Sequence, residues 1–192
     1  MGECGARKGH VDLRSGNLTP GILPKDETRR PDLPSGIAPL IGGYVTEIEI
    51  HPLAPEDHDD WVALWRDYLH FYETELPAEI FETTFERLTS ADHPERAAFV
   101  ARVGGRIAGL VHFVFHAHNW RIEDTCYLQD LYTAPDMRGL GVGRALIEAV
   151  YAAADANGTP SVYWLTQDFN TPARRLYDRV GKLTPFIKYA RP

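Results

Sequence analysis

Residues Asp130 to Arg144, Asp-Leu-Tyr-Thr-Ala-Pro-Asp-Met-Arg-Gly-Leu-Gly-Val-Gly-Arg, place three glycines and two arginines where a β-rich run gives way to an alanine-rich helical one. Gly139, Gly141 and Gly143 let successive backbone N–H groups converge without Cβ obstruction, and the start of a helix adds positive potential. Arg138 and Arg144 add charge-assisted donors. With Leu140 and Val142 between the glycines, the turn suits a pyrophosphate; the plain alternative is a tight strand-to-helix connection with surface arginines. No Gly-Lys-Ser/Thr follows the glycines, so a P-loop is excluded. The G-x-G-x-G spacing, arriving after several strands, fits a Rossmann fingerprint poorly.

Other reactive side chains carry weaker signals. Cys126 precedes the glycine turn on a β-rich run and has no activating partner in sequence, which reads as a buried structural thiol rather than a nucleophile. His112, His116 and His118 fall at even positions that share one strand face, yet no cysteine or carboxylate stands at ligand spacing. They read as strand and loop histidines, and no metal site is expected. Trp61, Trp65, Tyr68, Phe71 and Tyr72 recur along one helix; most should pack in the core, and a minority can face a cleft with Glu73 and Glu75 beside it.

The elements that position these residues follow from periodicity. Tyr44, Ile48 and Ile50 alternate with Glu47 and Glu49 as in a half-buried strand. Trp61, Leu64, Trp65, Tyr68, Leu69 and Tyr72 recur at helical spacing after Pro55 and the acidic turn Glu56, Asp57, Asp59 and Asp60. Ile80, Phe81, Phe85 and Leu88 predict a second helix. Residues 97 to 103 and 106 to 115 are β-rich runs joined by Gly104-Gly105, a hairpin signal, and another strand runs from about 125 to 133. The apolar stripe Ala145, Leu146, Ala149, Val150, Ala153 and Ala154 predicts a helix ending near Asn157-Gly158. Ser161 to Thr166 reads as strand, 171 to 180 as helix, and Phe186 to Tyr189 as a returning last strand. The order predicts an α+β, or mixed α/β, domain built on one sheet.

All 21 aromatic residues stand at or after Tyr44, whereas residues 1 to 43 hold 8 of the 16 glycines and 5 of the 14 prolines. A core without aromatics and with so many breakers is hard to build. The sequence therefore predicts a flexible arm over 1–43 and one domain over 44–192. The whole chain is at −7 and residues 1 to 43 at +1, so residues 44 to 192 carry −8. An acidic domain argues against nucleic acid as partner and suits a cationic small substrate. The sequence holds no apolar run long enough to span a bilayer and no secretory leader, and its two cysteines fit a reducing compartment; a cytoplasmic protein without membrane contact is expected.

The glycine turn resembles motif A of the GCN5-related N-acetyltransferase (GNAT) superfamily, Arg/Gln-x-x-Gly-x-Gly/Ala, through Arg138, Gly141 and Gly143. The run from Trp164 to Tyr177 resembles its motif B, in which an Asn near a strand end precedes a helix carrying a Tyr seven residues on, here Asn170 and Tyr177. Together with residues 61 to 73 these runs look most like the histone and polyamine acetyltransferase subgroup and its bacterial relatives, over about Thr46 to Tyr189. The resemblance implies one central, mostly antiparallel twisted sheet with a parallel splayed pair at the acetyl-CoA site, flanked by about four helices. It implies that acetyl-CoA lies along Leu131, Tyr132 and Thr133, the turn from Arg138 to Arg144, and Asn170. A main-chain N–H near Leu131 or Tyr132 would polarise the thioester carbonyl, and Tyr177 would protonate the CoA sulfur. Relatives with Leu-Glu-Asp on the motif-A strand use the Glu as base, whereas this chain has Leu128-Gln129-Asp130. Gln129 cannot accept a proton. Asp130 is the adjacent carboxylate, on the opposite face unless a bulge intervenes; Glu123, Asp124 or water are further options. The activity implied is direct acetyl transfer to a primary amine of a small molecule, polyamine or amino-acid type, with a homodimer left open. A protein lysine or N-terminus as acceptor, or a degenerate acyl-CoA-binding regulatory module, are the alternatives.

Overall fold

The computed structural model describes Gly36–Ile37 and residues 47 to 191. Apart from that two-residue strand, the arm expected over 1–43 lies outside the described residues. The elements are β1 (Gly36–Ile37), β2 (Glu47–Pro52), α1 (His58–Phe71), α2 (Ala78–Thr89), β3 (Arg96–Val103), β4 (Arg106–His116), β5 (Thr125–Thr133), α3 (Val142–Ala156), β6 (Val162–Tyr163) and α4 (Thr171–Val180). They form a six-stranded sheet in sequential order. Every neighbouring pair is antiparallel except β5 and β6, which run parallel. This is the mixed α/β, mostly antiparallel architecture with four helices expected from the sequence.

Each face of the sheet has its own core. On one, Trp61, Leu64 and Trp65 of α1 and Phe81 of α2 pack over Val100, Leu110 and Tyr132. On the other, Ala145, Leu146, Ala149 and Val150 of α3 cover Phe99, Val111, Phe113 and Leu128. The apolar stripes of α1 and α3 face opposite layers, which is why both surfaces of β3 and β4 are apolar. The entry to α1 is fixed by Asp57, fully buried, which accepts from the Ala54 N–H (2.9 Å) and from Arg102 Nη2 (2.5 Å). Gly104 and Gly105 close the β3–β4 hairpin at φ 58° and 83°, the left-handed conformations that a two-residue hairpin requires.

Gly109, having no side chain, lets Val142 and Leu146 of α3 seat directly on the sheet. A Cβ there would lie 2.8 Å from the Tyr132 carbonyl oxygen and from Val142 Cγ1, and 3.0 Å from Leu146 Cδ1. Gly109→Ala is therefore expected to cost about 1–3 kcal/mol as an overpacking change and to lower Tm by several degrees in a thermal melt. An unchanged Tm would contradict this tight seating of the helix.

Two expectations at the C-terminus are corrected. The strand expected over Ser161 to Thr166 shrinks to Val162–Tyr163, because the sheet splays beyond that point. Phe186 to Tyr189 form no strand: the segment is irregular, and Phe186, Ile187 and Tyr189 are 76–88 % exposed. The opened β6 offers these residues no extended edge to pair with. Among the described residues no helix is long and apolar enough to cross a membrane.

Candidate active site

The site begins with a register shift in the centre of the sheet. His112 pairs with Asp130 and Phe113 with Leu128, so Gln129 has no partner on β4. The side chains report the same insertion. Cys126 and Leu128 belong to the core beneath α3, whereas Tyr132 and Ala134 belong to the core beneath α1 and α2. Positions of equal parity share a face unless one extra residue intervenes. That residue is Gln129, exposed on the bulge, and its insertion turns Asp130 under α1.

On the other edge of β5 the partner falls away. Pairing with β6 is confined to Cys126 with Val162 and Tyr127 with Tyr163, so from Leu128 onward a gap opens between the strands. Before the bulge, even positions direct their main-chain groups across it, as the Cys126 N–H does to Ser161 O at 2.8 Å. After the bulge the even positions turn toward β4 instead, as the Ala134 N–H does to Ala108 O at 2.9 Å. Odd positions therefore face the gap, and the Thr133 carbonyl accepts there from Arg138 Nε at 3.2 Å. By the same parity the Leu131 N–H points into the gap, and of the two oxyanion donors expected it is the one so placed.

Beyond Thr133 the chain makes a short 3-10 turn at Pro135–Met137 and enters α3 through the glycines. Gly139 and Gly141 adopt φ 80° and 95°, conformations in which an L side chain is strained. Gly141 caps α3 without a side-chain hydrogen bond, and the first helical bond runs from the Ala145 N–H to its carbonyl at 3.0 Å. The N–H groups of Val142, Gly143 and Arg144 thus lack intrahelical acceptors and point out of the helix end. Gly143 is held by packing: a Cβ would meet Leu176 Cδ2 at 3.3 Å. Val142 is buried and Leu140 half-buried, so their side chains anchor the turn. Besides its bond to Thr133, Arg138 lies 5.8 Å over the Tyr132 ring, and Arg144 pairs with Glu148 at 3.5 Å. Main-chain donors, rather than these guanidinium groups, are the ones left open for an anion.

Tyr177 stands on α4, the helix that follows β6. Asn170 caps α4, accepting from the Ala173 N–H at 3.5 Å and donating to Thr166 Oγ1 at 3.3 Å. Tyr151 of α3 ties down the other end by donating to Val180 O at 2.8 Å. Seven residues after its cap, the helix presents Tyr177 edge-on to Trp164, centroids 5.4 Å apart. Burial, with a smaller contribution from Tyr72, pushes the Tyr177 hydroxyl up to about 12.

Sequence reasoning missed the chain of polar side chains behind the bulge. Asp130, 8 % exposed, accepts from the Tyr68 hydroxyl at Oδ1 and from His112 Nδ1 at Oδ2, both at 2.9 Å, and Trp61 Nε1 donates to His112 Nε2 at 2.9 Å. The only signal available was that Trp61 and Tyr68, two helical turns apart, share one face of α1, while His112 interrupts an apolar strand. The other candidates stand apart from the gap. Cys126 is fully buried and its thiol pushed up to about 12 by desolvation, so it stays protonated. His116 bonds to the Tyr163 hydroxyl at 3.2 Å and His118 packs on Trp120. Glu123 and Asp124 precede β5, roughly 15–20 Å along the strand from the bulge.

Residues 60–181 match the Acetyltransferase (GNAT) family. The chain is 38% identical over 146 residues to a D-amino-acid N-acetyltransferase of Saccharomyces cerevisiae, covering 75% of this chain and 90% of that protein. It is 23% identical over 132 residues to a thialysine N-epsilon-acetyltransferase of Caenorhabditis elegans, covering 69% and 81% respectively. Among solved structures, an aminoglycoside N-acetyltransferase in complex with CoA shares the fold at TM-score 0.67 and 18% identity, over 80% of this chain and 99% of that one. A ribosomal-protein-alanine N-acetyltransferase from Brucella melitensis biovar Abortus 2308 does so at TM-score 0.64 and 20% identity, over 76% and 98%. The bulged strand, its opened neighbour and the glycine turn thus have a common explanation: the chain belongs to the GNAT family and is an acetyl-CoA-dependent N-acetyltransferase.

Proposed function

We propose that this enzyme moves the acetyl group from acetyl-CoA to the primary amine of a small molecule, of amino-acid or polyamine type, by direct attack within a ternary complex. The observation that carries the reading is the gap beside the β5 bulge, faced by the Leu131 N–H and followed in the chain by the helix that bears Tyr177. CoA would run with its pyrophosphate on the amides between Gly141 and Arg144 and its pantetheine arm along Leu131, Tyr132 and Thr133. Gly139 and Leu140 shape the approach, Arg138 and Arg144 supply charge, and Asn170 holds α4 in place beside the arm. The Leu131 N–H stabilises the oxyanion of the tetrahedral intermediate. Tyr177 gives its proton to the departing sulfur, and a hydroxyl held at about 12 keeps that proton through the neutral range.

The substrate class rests on two supports. The relative at 38% identity carries a name that specifies D-amino acids. The end of α1 places Glu73 and Glu75 with His70, Phe71 and Thr74 around an open depression, whose carboxylates suit a cationic amine. A panel of D- and L-amino acids, polyamines, aminoglycosides and histone-tail peptides, read by free thiol release, tests this reading. We expect at least a tenfold higher kcat/KM for a small amine than for any peptide. Preference for a peptide would move the assignment to a protein acetyltransferase, and CoA binding without turnover on any amine would favour a regulatory module. A cytoplasmic setting and a homodimer belong to the same proposal. Leu183, Phe186, Ile187 and Tyr189, 74–88 % exposed, are the apolar residues that a second copy would cover.

A further inference from the structure

We infer that Tyr68 takes the proton from the incoming ammonium and passes its own hydroxyl proton to Asp130, with His112 and Trp61 as positioning residues behind the carboxylate. The inference rests on the acyl-transfer reading above and supplies the base that Gln129 cannot be. Asp130 lies beneath α1 and is 8 % exposed, so a substrate amine does not reach it directly. It is reached through half-buried Tyr68, whose hydroxyl donates to Oδ1 at 2.9 Å. With that hydrogen committed inward, the phenol oxygen has its lone pairs left for a donor from outside. Tyr68 packs edge-on against Tyr72 and Tyr132, centroids 5.0 and 6.0 Å apart.

The remaining groups define the direction of transfer. An indole N–H only donates, so His112 Nε2, 2.9 Å from Trp61 Nε1, holds a lone pair and the imidazole proton sits on Nδ1. Nδ1 donates that proton to Asp130 Oδ2, which leaves Oδ1 as the oxygen able to gain one. A second proton on Nε2 would face the indole N–H, so His112 acts as a fixed donor rather than a competing base. The titratable groups facing the carboxylate are Tyr68 from α1, His112 from β4 and Tyr127 from β5, with Tyr72 beyond Tyr68. Burial and Asp130 hold the Tyr68 pKa far above the usual phenol value, so Tyr68 hands a proton on without becoming an ion.

The step balances. An ammonium N–H bond breaks as an O–H bond to Tyr68 forms, while the original Tyr68 O–H bond breaks and Asp130 Oδ1 gains the proton. The neutral amine attacks the thioester carbon, the C–N bond forms and the C–S bond breaks. The second nitrogen proton replaces the one that Tyr177 gives to sulfur. After product departure, Asp130 returns its proton to solvent through Tyr68.

The test is kcat/KM against pH for wild type, Tyr68→Phe and Asp130→Asn, with CoA affinity and Tm measured beside. The relay matters most where the amine arrives protonated. Tyr68→Phe should therefore lose at least tenfold at pH 7 and converge to within about threefold of wild type near the amine's own pKa. CoA affinity should be nearly unchanged because the ring is kept, while Tm should fall by a few degrees as buried Asp130 loses a donor. Asp130→Asn should show the same pH-dependent loss. A pH-independent offset, or no loss in Tyr68→Phe, would overturn the relay, as would a pH-dependent loss in Tyr68→Phe that Asp130→Asn does not share. Wild type without amine-dependent thiol release would remove the acyl-transfer reading and the relay together, whereas active wild type with parallel profiles removes the relay alone.

Discussion

Tyr177→Phe is expected to lower kcat on the best amine about a hundredfold, within the usual range for loss of a general acid, while CoA affinity and Tm stay almost unchanged. The substitution keeps the ring, and with it the contact to Trp164 at 5.4 Å. The Tyr177 hydroxyl makes none of the hydrogen bonds that seat α4, which are those of Asn170, Tyr151 and the Gly181 N–H. Its removal should therefore cost chemistry and not stability. The loss should also be independent of pH through the neutral range, since burial holds this hydroxyl at about 12. That separates it from Tyr68→Phe, whose effect fades as pH rises. A kcat within about threefold of wild type would end the acid assignment, and a loss of Tm with proportionate loss of CoA binding would assign Tyr177 to packing.

Gly141→Val is expected to weaken CoA at least tenfold, about 1.4 kcal/mol. The cost has two sources. Gly141 sits at φ 95°, where a β-branched residue is strained, so some loss of Tm is expected as well. Among the described residues a Cβ would meet only Ile48 Cδ1, at 3.9 Å, an ordinary contact that leaves the turn undisturbed. The added bulk instead projects beside the open N–H groups of α3, where an anion has to approach. Isothermal titration of CoA against the folded variant reads the effect. Unchanged affinity would remove the turn from the binding site.

The elements were legible because their signals are local. The Gly104-Gly105 hairpin, the α3 stripe ending at Asn157, and the strand from Thr125 to Thr133 all depend on neighbours within a few residues. A bulge on this strand followed from the family resemblance, but its position was not legible in the residues. A one-residue shift leaves composition and alternation almost intact, and only the pairing of His112 with Asp130 shows that Gln129 is the extra residue. The same limit hid the polar chain, since Trp61 and His112 are 51 positions apart and Tyr68 and Asp130 are 62. Tyr68 read as one aromatic among several on α1, and His112 as a strand histidine. In contrast, the glycine turn is a contiguous motif whose backbone conformation follows from its glycines. The C-terminal strands failed for a tertiary reason: Ser161 to Thr166 and Phe186 to Tyr189 have strand-like residues, but the splay that opens the gap withdraws the neighbouring edge.

A crystal structure of the CoA complex tests the central claim most directly. Pyrophosphate oxygens are expected within about 3 Å of the amide nitrogens of Val142, Gly143 or Arg144, and the sulfur in the gap beside Leu131, within hydrogen-bonding reach of the Tyr177 hydroxyl. CoA bound away from the glycine turn, or a sulfur separated from Tyr177 by more than about 6 Å with no bridging water, would contradict it.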